Sequence, residues 1–431
     1  MSIEFLLCLA TLLFLAGIGT PIAFSILIST IVYLAIAGHD LALAGENILY
    51  GLYKSFILLA VPLFIVAANI MNSGSITDRL LKFCVALVGR FRGGIGHVNV
   101  VASLIFSGMS GSAVADAAGI GKVIIEMMTK DGRFRPGYAA AITAASATIG
   151  PIIPPSIPMV LYALISDQSI GYLFIAGIIP GFLMGGVLLI MNYILSKRDN
   201  IPLEDPIPLK KLPGMTWEAF PVLLTPAILL YGIYGGITTP TEAAAIAAAY
   251  TLFLAGVFYR VISFSSLYNV MVHSARTSAS VGLVIGSALI LNYIVASENI
   301  PHKLSSALVG LDVHPLTFML TVNLFILALG CFLDAVTIIL VILPLFMPIC
   351  RELDIDLVYF GVIMIVNCMI GLITPPYGIL LFVINAVTDI PLSEIIKEIW
   401  LFVGVLILAL LGMTLFPDFV LWLPRYFGYQ G

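Results

Sequence analysis

The chain has 431 residues, of which 61% are hydrophobic and only 10% are charged, with a formal net charge of −4. Soluble domains carry about 25% charged residues, so this composition excludes an ordinary soluble protein. The few charges lie in short loops and form no basic face, which excludes a nucleic-acid partner. Because a membrane-spanning helix needs about 20 mostly apolar residues, the sequence predicts one large all-α polytopic domain in the lipid bilayer.

Enzyme and metal motifs are missing from the sequence. The five cysteines are scattered without a C-x-x-C pair, which argues against a disulfide framework or a zinc site. There is no G-x-S-x-G, H-E-x-x-H or P-loop. Asp116 and Asp334 raise the alternative of a membrane-embedded aspartyl protease, but neither lies in a Y-D or G-x-G-D setting. We therefore expect that this protein is not an enzyme. The histidines near loops, among them His97, are expected in water or at the membrane interface.

Apolar runs predict most of the helices. They lie at 3–19, 22–37, 54–72, 138–166, 171–196, 219–235, 241–258, 279–297, 358–388 and 399–424. The first is expected to be retained, because it lacks the positive start and cleavage site of a signal peptide. Two amphipathic stretches, 76–92 and 262–276, are predicted to lie along the interface, with an ordinary loop as the alternative. Glu242 in T-T-P-T-E-A-A-A (238–245) is predicted to cap a helix start.

Two further apolar stretches, 96–128 and 316–350, are interrupted in the middle. The interruptions read S-G-M-S-G-S-A-V-A-D at 107–116 and G-C-F-L-D-A-V-T at 330–337. We expect each arm to be shorter than a full span. Both stretches are therefore predicted to be re-entrant helical hairpins with their tips in the membrane.

The charged loops predict orientation, because basic loops stay in the cytoplasm. The basic residues lie in loops 129–137 and 197–214 (Lys130, Arg133, Arg135, Lys197, Arg198, Lys210 and Lys211). Segment 351–356 is net acidic and is predicted to be periplasmic. On this path the first hairpin enters from the cytoplasm and the second from the periplasm, with both termini outside.

Each hairpin is followed by a helix that a Pro-Pro pair breaks. The breaks read T-I-G-P-I-I-P-P-S at 148–156 and G-L-I-T-P-P-Y-G at 371–378. Two such units in opposite orientations predict an inverted repeat, in which broken helices mark the binding site. Proline removes a backbone donor, so carbonyls become available to an ion. Helix N-termini at the tips favour anions, which together predicts a cation-coupled carrier for anions. A packing kink is the alternative at each break.

Four tip residues are candidates for ligand contact. Ser110 and Ser112 lie on either side of Gly111, with Gly108 nearby, although a membrane serine often bonds back to its own helix. Asp334 is an intramembrane carboxylate, which is costly and points to function. Asp116 either contacts substrate or ion, or pairs with Lys122.

Several of these motifs resemble the large membrane subunit of TRAP transporters, the tripartite ATP-independent periplasmic family. They are V-P-L-F-I-V-A-A-N-I-M-N-S-G (61–74), S-G-M-S-G-S-A-V-A-D-A-A-G (107–119), A-A-S-A-T-I-G-P-I-I-P-P-S-I-P-M (144–159), G-I-T-T-P-T-E-A-A-A (236–245) and G-L-I-T-P-P-Y-G (371–378). The resemblance implies an elevator-type carrier in the bacterial inner membrane, driven by sodium. It also implies a periplasmic substrate-binding protein and a small four-helix membrane subunit, expected here as a separate chain.

The resemblance also implies site residues for two or more sodium ions. One ion site comprises Ser110 and Ser112 with backbone at Gly150, Ile153 and Pro155, and the other comprises Gly330, Asp334 and Thr337 with backbone at Met369, Gly371 and Thr374. Asp116 and Ser156 are expected to contact the substrate. That substrate is a sialic acid, a sugar acid or a C4-dicarboxylate, and the acid at position 116 favours the first two. A stand-alone dicarboxylate symporter and a membrane-embedded hydrolase are the alternatives.

Five segments follow from this organisation. Residues 1–95 are expected to form scaffold helices and an interfacial arm, 96–170 the first transport repeat, 171–315 further scaffold helices and arms, 316–388 the second transport repeat, and 389–431 a C-terminal helix.

The predicted orientation can be tested by labelling. Gly132→Cys should react with a membrane-impermeant thiol reagent from the cytoplasmic side, and Asp354→Cys from the periplasmic side, because loop 129–137 is basic and segment 351–356 is acidic. Labelling of both positions from one side would rule out opposite orientations of the two units.

Overall fold

The structure is a computed structural model that describes residues 2–72, 74–201, 212–300, 303 and 313–431. Every regular element in these residues is a helix. Among these described residues, six helices can cross a membrane by length and composition, or seven if the bent pair Ala42–Lys54 and Phe56–Met71 is one span. The prediction of an all-α multi-pass membrane protein is therefore confirmed. Lys210 and Lys211 of the predicted cytoplasmic loop lie outside the described residues.

The N-terminal part contains more helix than the sequence predicted. Its elements are α1 (Ile3–Gly17), α2 (Ile22–Ile36), α3 (Ala42–Lys54), a 3₁₀ turn (Phe56–Leu59), α4 (Ala60–Met71) and α5 (Gly74–Val88). We did not predict α3, whose charged and polar residues weaken its apolar pattern. It meets the following segment at an angle of 73°.

The first interrupted stretch and the first broken helix have the predicted breaks. The elements are α6 (Gly94–Ser110), α7 (Ala113–Asp116), a π-helical turn (Ala117–Gly121), α8 (Lys122–Thr129), α9 (Pro136–Ala147), α10 (Ile157–Ser166) and α11 (Ile170–Arg198). We call α6 with α7 and α8 the first helix pair. Its tip is the connection at Gly111 and Ser112.

The middle of the chain corrects one prediction. The elements are α12 (Leu212–Tyr234), α13 (Pro240–Phe253), a π-helical turn (Leu254–Phe258) and α14 (Phe264–Ser297). The predicted interfacial stretch 262–276 and the span 279–297 form one continuous helix of 34 residues, because no glycine or proline separates them. Thr239 and Glu242 form the predicted capping box at the start of α13.

The second interrupted stretch also breaks where predicted. The elements are α15 (Pro315–Gly330), α16 (Ala335–Glu352), α17 (Leu357–Gly371), α18 (Ile379–Thr388), α19 (Leu392–Leu415) and α20 (Pro417–Tyr426). We call α15 with α16 the second helix pair. The expectation that every arm is shorter than a span was wrong for α16, whose 18 residues are long and apolar enough to cross. The predicted helix 399–424 is two helices, because the chain turns before Pro417.

The two helix pairs and the two broken helices form one packed body. In each unit the first half of the broken helix packs against both arms of its own pair, α9 on α6 and α8, and α17 on α15 and α16. The second halves cross over, so that α10 packs on α16 and α18 packs on α8. Helix α11 packs with this body, against α6, α17 and α19. The division of the chain into scaffold and transport segments stays a prediction.

Each tip lies directly against the break of the neighbouring helix. Gly111 has a left-handed φ of 58°, and a Cβ there would lie 2.5 Å from the carbonyl oxygen of Pro155. A Cβ on Gly371 would lie 2.6 Å from the Cα of Gly330. Backbone therefore meets backbone at both contacts, which only glycine allows.

An ionic cluster joins the ends of three helices. Arg135, just before α9, bonds Asp199 at 2.7 Å and Glu398 of α19 at 2.8 Å. Arg198 bonds Asp199 at 2.9 Å. The hydrogen bond from Arg198 and then that from Arg135 hold the pKa of Asp199 below its ordinary value. The cluster joins the start of α9 to the end of α11 and to the N-terminal part of α19, although exposed ion pairs contribute only about 0–1 kcal/mol each.

The contact between Gly330 and Gly371 predicts the effect of a single methyl group. Gly371→Ala should lower the melting temperature of the purified protein, because overpacking a close contact costs about 1–3 kcal/mol. The matched control is Gly404→Ala in α19, where no atom lies within 4 Å of an added Cβ. That control should be neutral or stabilising by up to about 1 kcal/mol, because alanine is the better helix former. Equal melting temperatures for the two variants would contradict the close contact.

Candidate functional site

The first tip and the first break bring most residues of the first predicted ion site together. Beside the contact of Gly111 with Pro155, a Cβ on Gly150 would lie 3.5 Å from the carbonyl oxygen of Ser112. Within the described residues, no hydrogen bond ends on the backbone carbonyl of Gly150, Ile153 or Pro155. The side chain of Ile153 itself packs towards Gly181 of α11. Only the backbone of Ile153 can therefore serve as a ligand.

The serines of this site have different surroundings. Ser112 begins α7 and accepts a hydrogen bond from the backbone of Ala115 at 3.4 Å. Ser110 is fully buried, and its hydroxyl has no partner within the described residues. Ser156 begins α10, accepts from the backbone of Met159 at 3.2 Å and donates to the carbonyl of Pro151. Ser110 is thus the serine whose hydroxyl oxygen is left without a protein partner.

The second tip and the second break form a matching arrangement. Besides the Gly330–Gly371 contact, the backbone N–H of Gly378 donates to the carbonyl of Cys331 at 3.1 Å. Among the described residues, the carbonyls of Gly330, Met369 and Thr374 accept no hydrogen bond. The hydroxyl of Thr374 donates back to Ile370 at 2.7 Å. The backbone oxygen of Thr374 is therefore the atom of that residue that remains available.

Asp334 is fixed by its own helix. Its side chain begins α16 and accepts hydrogen bonds from the backbone of Val336 at 3.0 Å and of Thr337 at 3.3 Å. The hydroxyl of Thr337 donates to the other carboxylate oxygen at 2.5 Å. Asp334 and Thr337 therefore lie together as predicted, and the N-cap contacts hold the carboxylate in place. The carboxylate has lone pairs beyond these contacts, so capping does not prevent it from binding a cation.

Asp116 is more deeply buried than the sequence suggested. It is 1% exposed, and neither carboxylate oxygen has a hydrogen-bond partner within the described residues. The alternative that it pairs with Lys122 is not supported, because those two oxygens are unpartnered. Asp116 immediately precedes the π-helical turn Ala117–Gly121, and such turns are frequent at functional sites. Nothing in the sequence predicted this turn.

A buried polar network beside Asp116 was also missed. Asn99 donates to the hydroxyl of Thr143 at 2.6 Å, and Ser146 donates to Asn99 at 3.0 Å. Ser103 donates to Ser146 at 3.2 Å. These residues lie on one face of α6 and one face of α9, at helical spacings of three and four residues. That spacing could have identified them.

The expectation that His97 could lie in water was wrong, whereas its position relative to the membrane interface stays a prediction. It is buried with 7% exposure, and its Nε2 lies 3.1 Å from the backbone carbonyl of Arg92. The ring fixes the loop that leads into α6.

The donor atoms at both tips are the oxygen atoms that suit a hard cation. The described residues contain no group of three or more His, Cys, Asp or Glu side chains that could hold a metal ion. Transition metals are commonly held by the nitrogen of His and the sulfur of Cys, whereas backbone carbonyls, hydroxyls and a carboxylate suit a hard ion. Both arrangements therefore offer oxygen ligands of the predicted kind.

Comparison with known proteins identifies the family. Residues 8–419 match the family described as the tripartite ATP-independent periplasmic transporter, DctM component. The chain is 39% identical to the sialic acid TRAP transporter large permease protein SiaM of Vibrio cholerae serotype O1, covering 95% of this chain and 96% of that protein. It is 35% identical to the C4-dicarboxylate TRAP transporter large permease protein DctM of the same organism, covering 94% of each.

A solved structure shares the fold. The YdaH transporter of Alcanivorax borkumensis aligns with a TM-score of 0.62 at 14% identity, covering 88% of each chain. The relatives of higher identity are named as permeases, which are transport proteins and not enzymes, so the expectation of no enzyme is confirmed. With the family match over nearly the whole chain, this protein belongs to the TRAP transporter family as its DctM component, the large permease.

Proposed function

We propose that this chain is the membrane carrier of a sodium-coupled secondary transporter that imports an organic acid across the bacterial inner membrane. The observation that carries this proposal is the pair of tip-and-break contacts, each surrounded by backbone carbonyls without hydrogen-bond donors. Unsatisfied carbonyls inside a membrane protein are costly unless they face water or an ion. Such oxygens can coordinate a sodium ion, which would be transported together with the substrate.

The first ion would lie near Ser110 and the carbonyls of Gly150, Ile153 and Pro155, with Ser112 at the tip. The second would lie near Asp334, Thr337 and the carbonyls of Gly330, Met369 and Thr374, with Gly371 allowing the close approach. Asp334 supplies the charge that balances the second ion. The first unit has no such acid at its tip, so its ion would rely on carbonyl and hydroxyl oxygens.

The substrate would bind between the two tips. Ser156 begins α10, whose N-terminus favours a carboxylate group. Asp116 is enclosed in this structure, so a substrate contact there would require the first helix pair to move away from its neighbours. Sialic acid and sugar acids are the favoured substrates, because the relative SiaM is named for sialic acid. A C4-dicarboxylate is the second candidate, because the relative DctM is named for it.

An elevator movement of an inverted repeat would follow from the packing. In the crossed contacts the second half of each broken helix packs on the helix pair of the other unit, α10 on α16 and α18 on α8. Two re-entrant hairpins and two broken helices related in this way would carry substrate and sodium as one rigid body. Opposite orientations of the two units would give equivalent access from each side of the membrane.

The carrier would act with a periplasmic binding protein and a small four-helix membrane subunit. The word "large" in the names of both relatives supports a second, smaller membrane component. A stand-alone dicarboxylate symporter is the alternative function. The sequence relatives favour the multi-component system.

The sodium proposal is tested with Asp334→Asn. Uptake by the assembled transporter in liposomes should require a sodium gradient, and potassium should not replace sodium. Asparagine still caps a helix, so the variant removes the charge and keeps the cap. Loss of a charged contact costs about 1.5–3 kcal/mol, so the sodium concentration for half-maximal uptake should rise roughly ten- to hundredfold.

The matched control is Asp356→Asn. Asp356 also begins a helix, accepting from the backbone of Tyr359 at 2.8 Å, but lies away from both tips. Its sodium dependence should equal that of the unmodified protein. If Asp334→Asn and Asp356→Asn give the same unchanged sodium curve, Asp334 is only a cap.

The partner proposal is tested by omission. The small subunit should co-purify with this chain in a fixed ratio, and uptake should be lost when either that subunit or the binding protein is left out. The physical reason is that the carrier would receive its substrate from the binding protein and would need the small subunit as part of the membrane complex. Full uptake by the chain alone would establish the stand-alone symporter instead.

A further inference from the structure

Two neighbouring grooves run along the exposed side of α11. The first has a volume of about 330 Å³ and is lined by Val88, Phe91, His97, Leu189, Ile190 and Tyr193. The second has a volume of about 400 Å³ and lies between α11 and α19. Ile190 borders both grooves and is 62% exposed, so it forms the ridge between them.

The linings are almost entirely apolar. The second groove is bordered by aliphatic side chains such as Ile194 and Leu408 and by Gly412. In the first groove His97 is the basic lining residue, and its Nε2 already lies 3.1 Å from the carbonyl of Arg92. Hydrocarbon chains fit these surfaces, whereas a polar solute would lose its hydration without compensation.

Basic residues lie at one end of the first groove. Phe91, which lines it, is flanked in the chain by Arg90 and Arg92. The Nε of Arg92 is buried and has no hydrogen-bond partner within the described residues. Arg90 lies over the ring of Phe91, with its guanidinium carbon 5.3 Å from the ring centroid.

The end of α11 adds a third cation. Gly93 packs directly against α11, because a Cβ added there would overlap the hydroxyl of Ser196. Lys197 follows Ser196 in the chain, so its charge lies near this end of the groove. The acid closest in sequence is Asp199, which is already bonded to Arg198 and Arg135. This end of the groove therefore presents an excess of positive charge.

We propose that the two grooves bind one anionic phospholipid. Its acyl chains would lie on either side of Ile190, and its phosphate would lie among Arg90, Arg92 and Lys197. Two adjacent apolar grooves that share Ile190 as a border match a lipid with two chains, and basic pockets between membrane helices bind anionic head groups. A zwitterionic lipid would bring a positive group into the same cluster and bind less well. This site is separate from the tips and does not depend on which organic acid is carried.

The proposal is tested by native mass spectrometry of the purified transporter complex. Phosphatidylglycerol and phosphatidylcholine with identical acyl chains are titrated separately, and the fraction of complex that retains lipid is measured. The unmodified protein should prefer phosphatidylglycerol. The double variant Arg90→Gln with Arg92→Gln should raise the apparent dissociation constant for phosphatidylglycerol about thirtyfold, or about fivefold for each charge removed. Retention of phosphatidylcholine should change little.

Two further variants make the result specific. The double variant Arg260→Gln with Arg276→Gln removes two exposed arginines outside the grooves. It should leave the retention of both lipids unchanged. Gly412→Leu adds a side chain at the border of the second groove, where no atom lies within 4 Å of an added Cβ, and should weaken the binding of both lipids. Equal retention of the two lipids by the unmodified protein would overturn the anionic site. An equal loss of phosphatidylglycerol from the Arg260/Arg276 variant and the Arg90/Arg92 variant would also overturn the proposal. That result would mean that the lipid is attracted by the overall charge and not by a defined site.

A bound protein helix is the other outcome that the experiment separates. If the small subunit covers the grooves, neither lipid will bind the intact complex, and Gly412→Leu will reduce co-purification of that subunit. That result would also overturn the lipid proposal.

Discussion

The structure depends on the close approach of two helix tips to two helix breaks. At each contact a glycine removes the side chain that would hold the chains apart, Gly111 beside Pro155 in one unit and Gly330 beside Gly371 in the other. A methyl group at Gly111 or Gly371 would overlap backbone atoms that cannot move independently of their helices. These contacts determine where α6 and α15 end and where their neighbours break.

The same contacts explain why polar atoms collect inside an apolar protein. A helix that ends in the membrane leaves its last carbonyls without donors, and proline at the break removes further donors. In both units these carbonyls lie where the tip meets the break, so one local geometry produces two clusters of carbonyl oxygens that accept no hydrogen bond from the described residues. The packing of α9 and α17 against both arms of their helix pairs keeps these atoms in place.

The two acids that follow the interrupted helices, Asp116 and Asp334, differ in their surroundings. Asp334 is held by two backbone N–H groups and the hydroxyl of Thr337. Asp116 has no such contacts, although it is almost completely enclosed. Sequence position alone makes them look equivalent, because each follows an interrupted apolar helix. Only the local helix geometry, an N-cap in one case and a π-helical turn in the other, distinguishes them.

The sequence by itself determined the class of protein, the positions of both tips and both breaks, and the capping box at Glu242. These features follow from hydrophobicity, glycine and proline, which act locally. The tertiary structure decided what local patterns cannot specify: the burial of His97, the polar network around Asn99, the continuity of α14 through residue 277 and the pairing of Gly330 with Gly371. Each of these depends on a partner distant in the chain or on the absence of a helix breaker, so the physical cause lies in packing between elements and not in the residues' own preferences.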